Sequence, residues 1–236
     1  MTDPPTAVAG AADPAADADA SWVRAEPLAA EGLEWRSRVA VWVIARVTGA
    51  EVPRVFTTLA RHPRLFRRWL PFAGSLLMGT DLPRVDVELV VLRTACNAGS
   101  PYIWTQHVAL GRRAGLPTSS IDAVPTWQEA GPWSPRQRAL LQAADELHHQ
   151  QVIVDDTWSR LTRLSTERER IELCFVVGHY EMVAMALNSL GVQSEPAATA
   201  LLDPPAARVA AAARRRLARR RTASGGPHRA EPATPG

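Results

Sequence analysis

Apolar residues recur at spacings of three and four along most of the chain, which is the period of an amphipathic helix. Strand signals are weak, because no two alternating Val/Ile/Thr runs flank an Asn-Gly or Asp-Gly turn. The pattern therefore predicts an all-α fold. The predicted helices cover residues 31–48, 53–61, 63–77, 84–98, 100–115, 134–150, 155–164 and 167–189.

Residues that typically begin or end helices support these limits. Ser134 precedes Pro135, as expected of an N-cap followed by proline in the first turn. Thr166 and Glu169 have the spacing of a capping box. Gly115 follows two arginines, a common end of a helix.

The two ends of the chain differ from the part between them. Residues 1–20 are mostly Ala, Asp and Pro, with little to bury, and are predicted to be a disordered tail. Residues 204–236 are rich in Ala and Arg and are predicted to be a second disordered tail, with a transient helix in its first part. We expect a single helical domain over residues 21–203.

The net charge of +3 comes from the C-terminal tail. Eight arginines and one acidic residue lie beyond residue 207, and the rest of the chain carries 19 basic against 23 acidic side chains. Clustered arginines can neutralise phosphates, so nucleic-acid binding by the tail is one hypothesis. It is disfavoured, because the acidic domain offers no basic face to continue such a surface.

The location of the protein is expected to be cytoplasmic. No run of 18 apolar residues is present and the N-terminus does not resemble a signal peptide, so no membrane association is expected. Cys96 and Cys174 form no CxxC motif, and in a reducing compartment they are expected to be buried thiols.

Glu88 and His107 are the strongest candidates for chemistry. They lie on consecutive predicted helices joined by a short link, and such helices usually pack antiparallel. The two side chains can then face each other at similar distances from the turn. A carboxylate beside an imidazole makes an acid/base unit, or it is a buried ion pair that only holds two helices together. Spacing alone favours the structural alternative.

Four segments together resemble the carboxymuconolactone decarboxylase family, which belongs to the same superfamily as the alkylhydroperoxidase AhpD. They are HPRLFRRWLPFAGSLLMG, VDVELVVLRTACNAGSPYIWTQHVALGRRAGL, AADELHH and VVGHYEMVAMALNSLGV, and the resemblance extends over residues 30–195. It implies an AhpD-like helical bundle that forms homotrimers or homohexamers, with active sites near subunit contacts.

The resemblance also shows a departure from the peroxidase branch of the superfamily. That branch has a glutamate, a CxxC pair and a histidine, which fall here on Glu88, on Ser100 and Ile103, and on His107. Neither Ser nor Ile supplies the thiolate that peroxide reduction needs, so a thiol peroxidase is disfavoured. The retained Glu88 and His107 match the non-redox decarboxylase branch and favour catalytic roles for both.

Several further residues are candidates for binding a small substrate. Arg93 can bind a substrate carboxylate, or it pairs with an acidic side chain. Aromatic side chains can form the walls of a cleft for a planar ligand, or simply pack in the core. These candidates are Trp69, Phe72, Tyr102 and Trp104.

The histidines of AADELHH, His148 and His149, are expected near a helix end, and no metal or other cofactor is expected. The resulting prediction is a cofactor-free lyase that decarboxylates or isomerises a small lactone or cyclic acid. The alternative is a non-catalytic scaffold of the same fold that binds a small molecule or a protein.

Overall fold

The computed structural model describes residues 23–29, 32–36, 38, 39, 41, 52–129 and 131–222. Within these ranges every regular element is a helix, which confirms the all-α prediction. The α-helices are α1 (Arg54–Leu59), α2 (Pro63–Met78), α3 (Arg84–Ala98), α4 (Pro101–Arg113), α5 (Thr118–Ala123), α6 (Pro135–Gln150), α7 (Asp155–Leu164), α8 (Glu167–Leu190), α9 (Pro196–Ala200) and α10 (Pro204–Thr222); a 3-10 turn, Val124–Thr126, follows α5.

Helix α3 is the centre of the fold. It packs against α8, α6 and α4, and the residues from Asp86 to Ala95 are all buried. A helix enclosed on all sides is expected to be apolar around its whole circumference, which explains the continuous run Leu89–Leu92. Any polar side chain on this helix must find a partner inside the protein.

The predicted helix ends are largely confirmed. Ser134 and Gln137 form a capping box at the start of α6, and Thr166 and Glu169 form one at the start of α8. Helix α3 ends at Gly99, whose φ of 62° lies in the left-handed region that glycine adopts without strain. This glycine lets the chain turn directly into α4, so that α3 and α4 pack side by side.

Helix α8 has two very different sides. Leu173, Val176 and Val177 lie in the core, whereas Ile171 and Phe175 are half exposed. The helix is long and apolar enough to cross a membrane by length and composition, with a mean hydropathy of 1.3 over its best 18-residue window. Since 44% of that window is buried inside the protein, this is weak evidence for a membrane span.

Residues 204–222, in the segment predicted to be a tail with a transient helix in its first part, form the helix α10. Ala206 and Ala210 are buried against the core, and the helix packs on α4 and α5. Small alanine side chains allow close helix packing, while the exposed arginines occupy the opposite side. The short helices α5 and α9 were not predicted from the sequence. The predicted tail 1–20 and most of the predicted helix 31–48 lie outside the described residues.

Candidate functional site

The site is built around Glu88, whose side chain is completely buried one turn into α3. Its Oε2 lies 2.7 Å from Nδ1 of His107 on α4, and His107 is 6% exposed. The structure therefore brings together the two residues that the sequence singled out. A carboxylate that accepts the Nδ1 proton fixes the ring tautomer and leaves Nε2 as the nitrogen for proton transfer.

Arg84 is the third charged member of the site, and sequence reasoning missed it. Its Nη2 lies 2.5 Å from Oε1 of Glu88 and forms an ion pair whose angles do not fit a hydrogen bond. Its Nη1 donates a hydrogen bond to the carbonyl of Leu77. The signal in the sequence was the i,i+4 spacing of Arg84 and Glu88 on one helix. Glu88 thus lies between a permanent cation and an imidazole.

A cluster of aromatic rings extends from this pair towards the surface. The ring of Tyr180 on α8 meets His107 edge to face, with centroids 4.9 Å apart. The ring of His179 contacts three aromatic rings of the cluster. The distances between ring centroids are 5.3 Å to Tyr180, 5.4 Å to Phe72, and 5.9 Å to Trp69 of α2, which is stacked on it. Phe72 is 42% exposed, so the cluster reaches solvent at this ring.

Burial keeps both α8 side chains of the cluster neutral near neutral pH. The pKa of His179 is lowered to about 4, mainly by burial and to a lesser extent by a positive charge on His107. Burial also raises the pKa of Tyr180, and the negative charge of Glu88 acts in the same direction. The site therefore has an ionisable part at Arg84, Glu88 and His107 and an uncharged part on α8.

The predicted wall residues divide into two groups. Trp69 and Phe72 contact His179 and lie in the aromatic cluster, whereas Tyr102 and Trp104 are engaged elsewhere. The Tyr102 hydroxyl accepts from the backbone N–H of Val55 and bonds to Glu195, and Trp104 donates to the carbonyl of Ala206. These bonds hold α4 to its neighbours, and substrate binding by Tyr102 and Trp104 stays a prediction.

Arg93 is held by protein partners. Its guanidinium makes two hydrogen bonds to the carboxylate of Asp145, at 2.5 and 3.0 Å, and donates to the carbonyls of Val124 and Pro125. Asp145 also accepts from Asn97 and other donors, and Arg93 lowers its pKa against the opposing effect of burial. Arg93 thus pairs with an acidic side chain, which is the second of the two roles considered for it. Binding of a substrate carboxylate by Arg93 stays a prediction.

The two positions that carry cysteines in the peroxidase branch are buried here. Ser100 is the N-cap of α4, and its hydroxyl has no hydrogen-bond partner among the described residues. Ile103 lies in the core. Cys96 is nearby in sequence, but burial raises its pKa to about 12, so it is a neutral thiol near neutral pH. Cys174 lies on α8, and burial raises its pKa as well.

Two cavities lie away from the site. One, of about 20 Å³, is lined by the end of α8 and by α10; the other, of about 310 Å³, is lined by Arg54, Val192 and residues 23–27. Neither is lined by Glu88 or His107.

A second imidazole–carboxylate pair lies between α6 and α8. His148 Nδ1 is 2.7 Å from Glu181, and the ring of His149 packs on that of His148. Both histidines are in the last turn of α6, as the sequence predicted. Within the described ranges, no three His, Cys, Asp or Glu side chains are grouped so as to hold a metal ion.

Comparison with known proteins relates this geometry to a family. The sequence model of the carboxymuconolactone decarboxylase family matches residues 63–146, which include Arg84, Glu88 and His107. Among curated proteins, none matches the chain.

Solved structures show the same fold. An AhpD-core, peroxidase-related protein from Ralstonia eutropha JMP134 is 20% identical over 75% of this chain and 94% of that chain, with a TM-score of 0.69. A peroxidase-related protein from Silicibacter sp. TM1040 is 15% identical over 70% and 88%, with a TM-score of 0.65. The debrominase Bmp8, as a variant bound to 2,3,4-tribromopyrrole, is 16% identical over 78% and 98%, with a TM-score of 0.67.

Proposed function

We propose that this chain belongs to the carboxymuconolactone decarboxylase family and is a cofactor-free lyase that decarboxylates or isomerises a small lactone or cyclic acid. The match of the family model over residues 63–146 and the fold shared with AhpD-like structures support the proposal. The observation that carries the proposal is the buried contact of 2.7 Å between Glu88 and His107 Nδ1. Its geometry gives a histidine of fixed tautomer whose Nε2 is left for the substrate.

The decarboxylation needs a proton to be delivered to one carbon atom of the substrate. When CO₂ leaves a carboxymuconolactone, the bond between the lactone ring carbon and the carboxylate breaks. Its electron pair moves through the conjugated double bond onto the lactone carbonyl, giving a dienolate. His107 then delivers a proton from Nε2 to carbon, and the imidazole recovers that proton from water. Isomerisation would use the same nitrogen first as base and then as acid.

Glu88 and Arg84 act on His107 in opposite ways. The carboxylate of Glu88 stabilises the imidazolium that donates the proton, and Arg84 shares the charge of that carboxylate. A dry site also favours loss of a carboxylate, because the departing group is poorly solvated while charge spreads in the transition state. The complete burial of Glu88 supports such an environment.

Thiol chemistry has little support in this chain. Ser100 and Ile103 stand where the peroxidase branch has cysteines, and Cys96 has a pKa raised to about 12. A non-catalytic scaffold is the other alternative. The pairing of Glu88 with His107 argues against it, because burying a charged carboxylate is costly and binding alone does not require it.

The experiment that tests the proposal follows the ultraviolet absorbance of γ-carboxymuconolactone with purified protein and its variants. We expect His107→Ala to lower kcat by about 100-fold or more and Glu88→Gln by about 10-fold or more, because general acid catalysis contributes on this order. His149→Ala is the matched control, since this histidine is exposed and lies outside the site.

Near-wild-type turnover in both site variants would contradict the assignment of Glu88 and His107. Turnover of no lactone or cyclic acid by the wild-type protein would favour the scaffold alternative.

We further propose that copies of this chain assemble through the exposed side of α8. The α8 face, defined by Ile171, Phe175, Gly178, Met182 and Met185, has spacings of four and three, the pattern of a helix–helix seam. The exposed fraction of its four apolar side chains is between 50% and 65%. A membrane would require apolar residues all round, whereas the opposite side of α8 carries His179 and Tyr180. A second copy is therefore the proposed partner, in a homotrimer or homohexamer.

We propose that the protein is located in the cytoplasm. Cys96 and Cys174 are both free thiols, which suits a reducing compartment. The partial burial of α8 supports a protein that folds in water.

A further inference from the structure

His179 has a ring nitrogen without a hydrogen-bond partner among the described residues. It is 6% exposed, and its Nδ1 is buried with no hydrogen-bond partner in the described part of the chain. A buried imidazole nitrogen left in this way is costly, and native structures rarely leave one unexplained. Its three neighbours are aromatic rings, so a phenylalanine would fill the same space without that cost.

The position of His179 points to the substrate. Its ring and that of His107 both meet Tyr180 edge to face, at 5.3 and 4.9 Å. The two imidazoles thus pack against the same ring, so a small planar compound that reaches His107 also comes near His179. Trp69 stacks on His179, and Phe72, which also contacts it, is 42% exposed, so the cluster reaches solvent on this side.

We infer that His179 donates a hydrogen bond from Nδ1 to the carbonyl oxygen of a lactone substrate and stabilises the negative charge that develops there. This rests on the proposed function, since it takes His107 as the group that delivers the proton. The ligand group bound at His179 is uncharged in the ground state, because the aromatic walls would not solvate a carboxylate.

The neutral state of His179 suits this role. A neutral imidazole can donate to an oxyanion without a competing reaction as an acid, and the apolar surroundings strengthen such a hydrogen bond. The titratable groups that act on or contact the ring are His107 on α4 and Tyr180 on α8 itself, and Tyr180 in turn is influenced by Glu88 and Arg84 of α3. Trp69 and Phe72, the neighbours of His179 on α2, are uncharged.

The first part of the test observes His179 directly. Protein labelled with ¹⁵N at its histidines is titrated with 2(5H)-furanone, a small uncharged lactone, and with furan, the related ring without the carbonyl. His179→Asn assigns the His179 signals by their loss. We expect the lactone, and not furan, to shift the Nδ1 resonance of His179. Absence of a shift at saturating lactone would overturn the inference.

The second part measures kcat and KM with γ-carboxymuconolactone. We expect His179→Phe to lower kcat by about 100-fold, as removal of an oxyanion donor does, with a smaller change in KM. His179→Asn keeps an amide donor near the position of Nδ1 and should retain kcat within about 10-fold of the wild type. Equal kcat in the wild type and His179→Phe would contradict the role.

Failure of this inference is distinguishable from failure of the proposed function. Turnover that depends on His107 but not on His179 leaves the lyase and removes the oxyanion role. A lactone-induced shift at His179 without turnover leaves the binding role and removes the lyase. Neither a shift nor turnover overturns both. His149→Ala, which should match the wild type in every measurement, controls for loss of a histidine.

Discussion

Glu88 illustrates how a carboxyl group is accommodated inside an apolar helix bundle. Both of its oxygens lie against nitrogen atoms, those of the Arg84 guanidinium on the same helix and of the His107 imidazole on the next. His179, one ring further out, differs: it is buried, its Nδ1 has no hydrogen-bond partner in the described part of the chain, and the ring stays neutral near neutral pH. The two residues differ because desolvation can be offset by paired charge or avoided by giving up charge.

The lowered pKa of His179 predicts a dependence of stability on pH. Its pKa is about 4 in the folded protein against 6.5 for a free imidazole, so the unfolded chain binds more protons between these values. The contribution of the neutral ring to the free energy of unfolding has its full value above pH 6.5 and is lost as the pH falls towards 4. We expect this residue to lower the free energy of unfolding by about 1 to 2 kcal/mol between pH 7 and pH 5.

Urea unfolding at the two pH values measures this effect. His179→Asn should show a smaller difference between pH 7 and pH 5 than the wild type, by the same amount. An identical difference in both proteins would show that His179 protonates as readily in the folded state as in the unfolded one.

At the scale of elements, the fold depends on helices that contact partners far away in the sequence. Helix α10 illustrates this, because its alanines pack against α4 and its Ala206 carbonyl accepts from Trp104. Arg112 of α4 also pairs with Asp203 just before α10, at 2.7 Å. The C-terminal segment is thereby part of the domain, although its composition resembles that of a flexible tail.

Truncation tests this contribution. Ending the chain after Asp203 should lower the free energy of unfolding by at least about 2 kcal/mol, because Trp104 loses its acceptor and the surface under Ala206 and Ala210 meets water. Ending it after Thr222 keeps these contacts and serves as the control. Equal thermal unfolding of the two truncated proteins would mean that α10 adds nothing to stability.

At the scale of the whole molecule, the site and the proposed assembly surface are two sides of one helix. His179 and Tyr180 face inward, while Phe175 and Met182 of the α8 face lie within one turn of them on the outer side. The exposed ring of Phe72 contacts His179 on this same helix, so we expect assembly through the α8 face to limit the access of water to the site. Such coupling would explain why an apolar surface lies beside a buried acid/base pair.

The mass of the protein in solution measures the assembly. The chain has a mass of 25.7 kDa, and light scattering should give a multiple of three times this value for the wild type. Met185→Glu places a charge in the α8 face and should shift the mass to that of one chain. Val152→Glu, at an equally exposed apolar position away from α8, should not change it. A monomeric wild type would contradict the proposed interface.

Several features could be predicted from local sequence. The three-and-four spacing of apolar residues determines which side of a helix is buried, and the capping boxes at Ser134 and Thr166 mark where helices begin. The placement of Glu88 against His107 was also accessible, because a short link between consecutive helices leaves few ways to pack them. Arg84 could have been added, since its spacing from Glu88 is local as well.

The partners of the predicted substrate-binding residues could not be predicted from local sequence. Tyr102 and Trp104 share a helix with His107, yet their partners, Glu195 and Ala206, are more than 90 positions away. Arg93 is similarly engaged by Asp145, 52 positions away. A sequence pattern shows that such a side chain is buried, but it does not show which distant segment supplies the partner.

The sequence by itself therefore determined the helical class, most helix limits and the Glu88–His107 pair, because these depend on hydrogen bonds and packing between neighbouring segments. Only the tertiary structure brought His179, Trp69 and Phe72 together beside the pair and docked α10 on the domain. These contacts join helices separated by many residues, and which faces meet depends on the simultaneous packing of all of them.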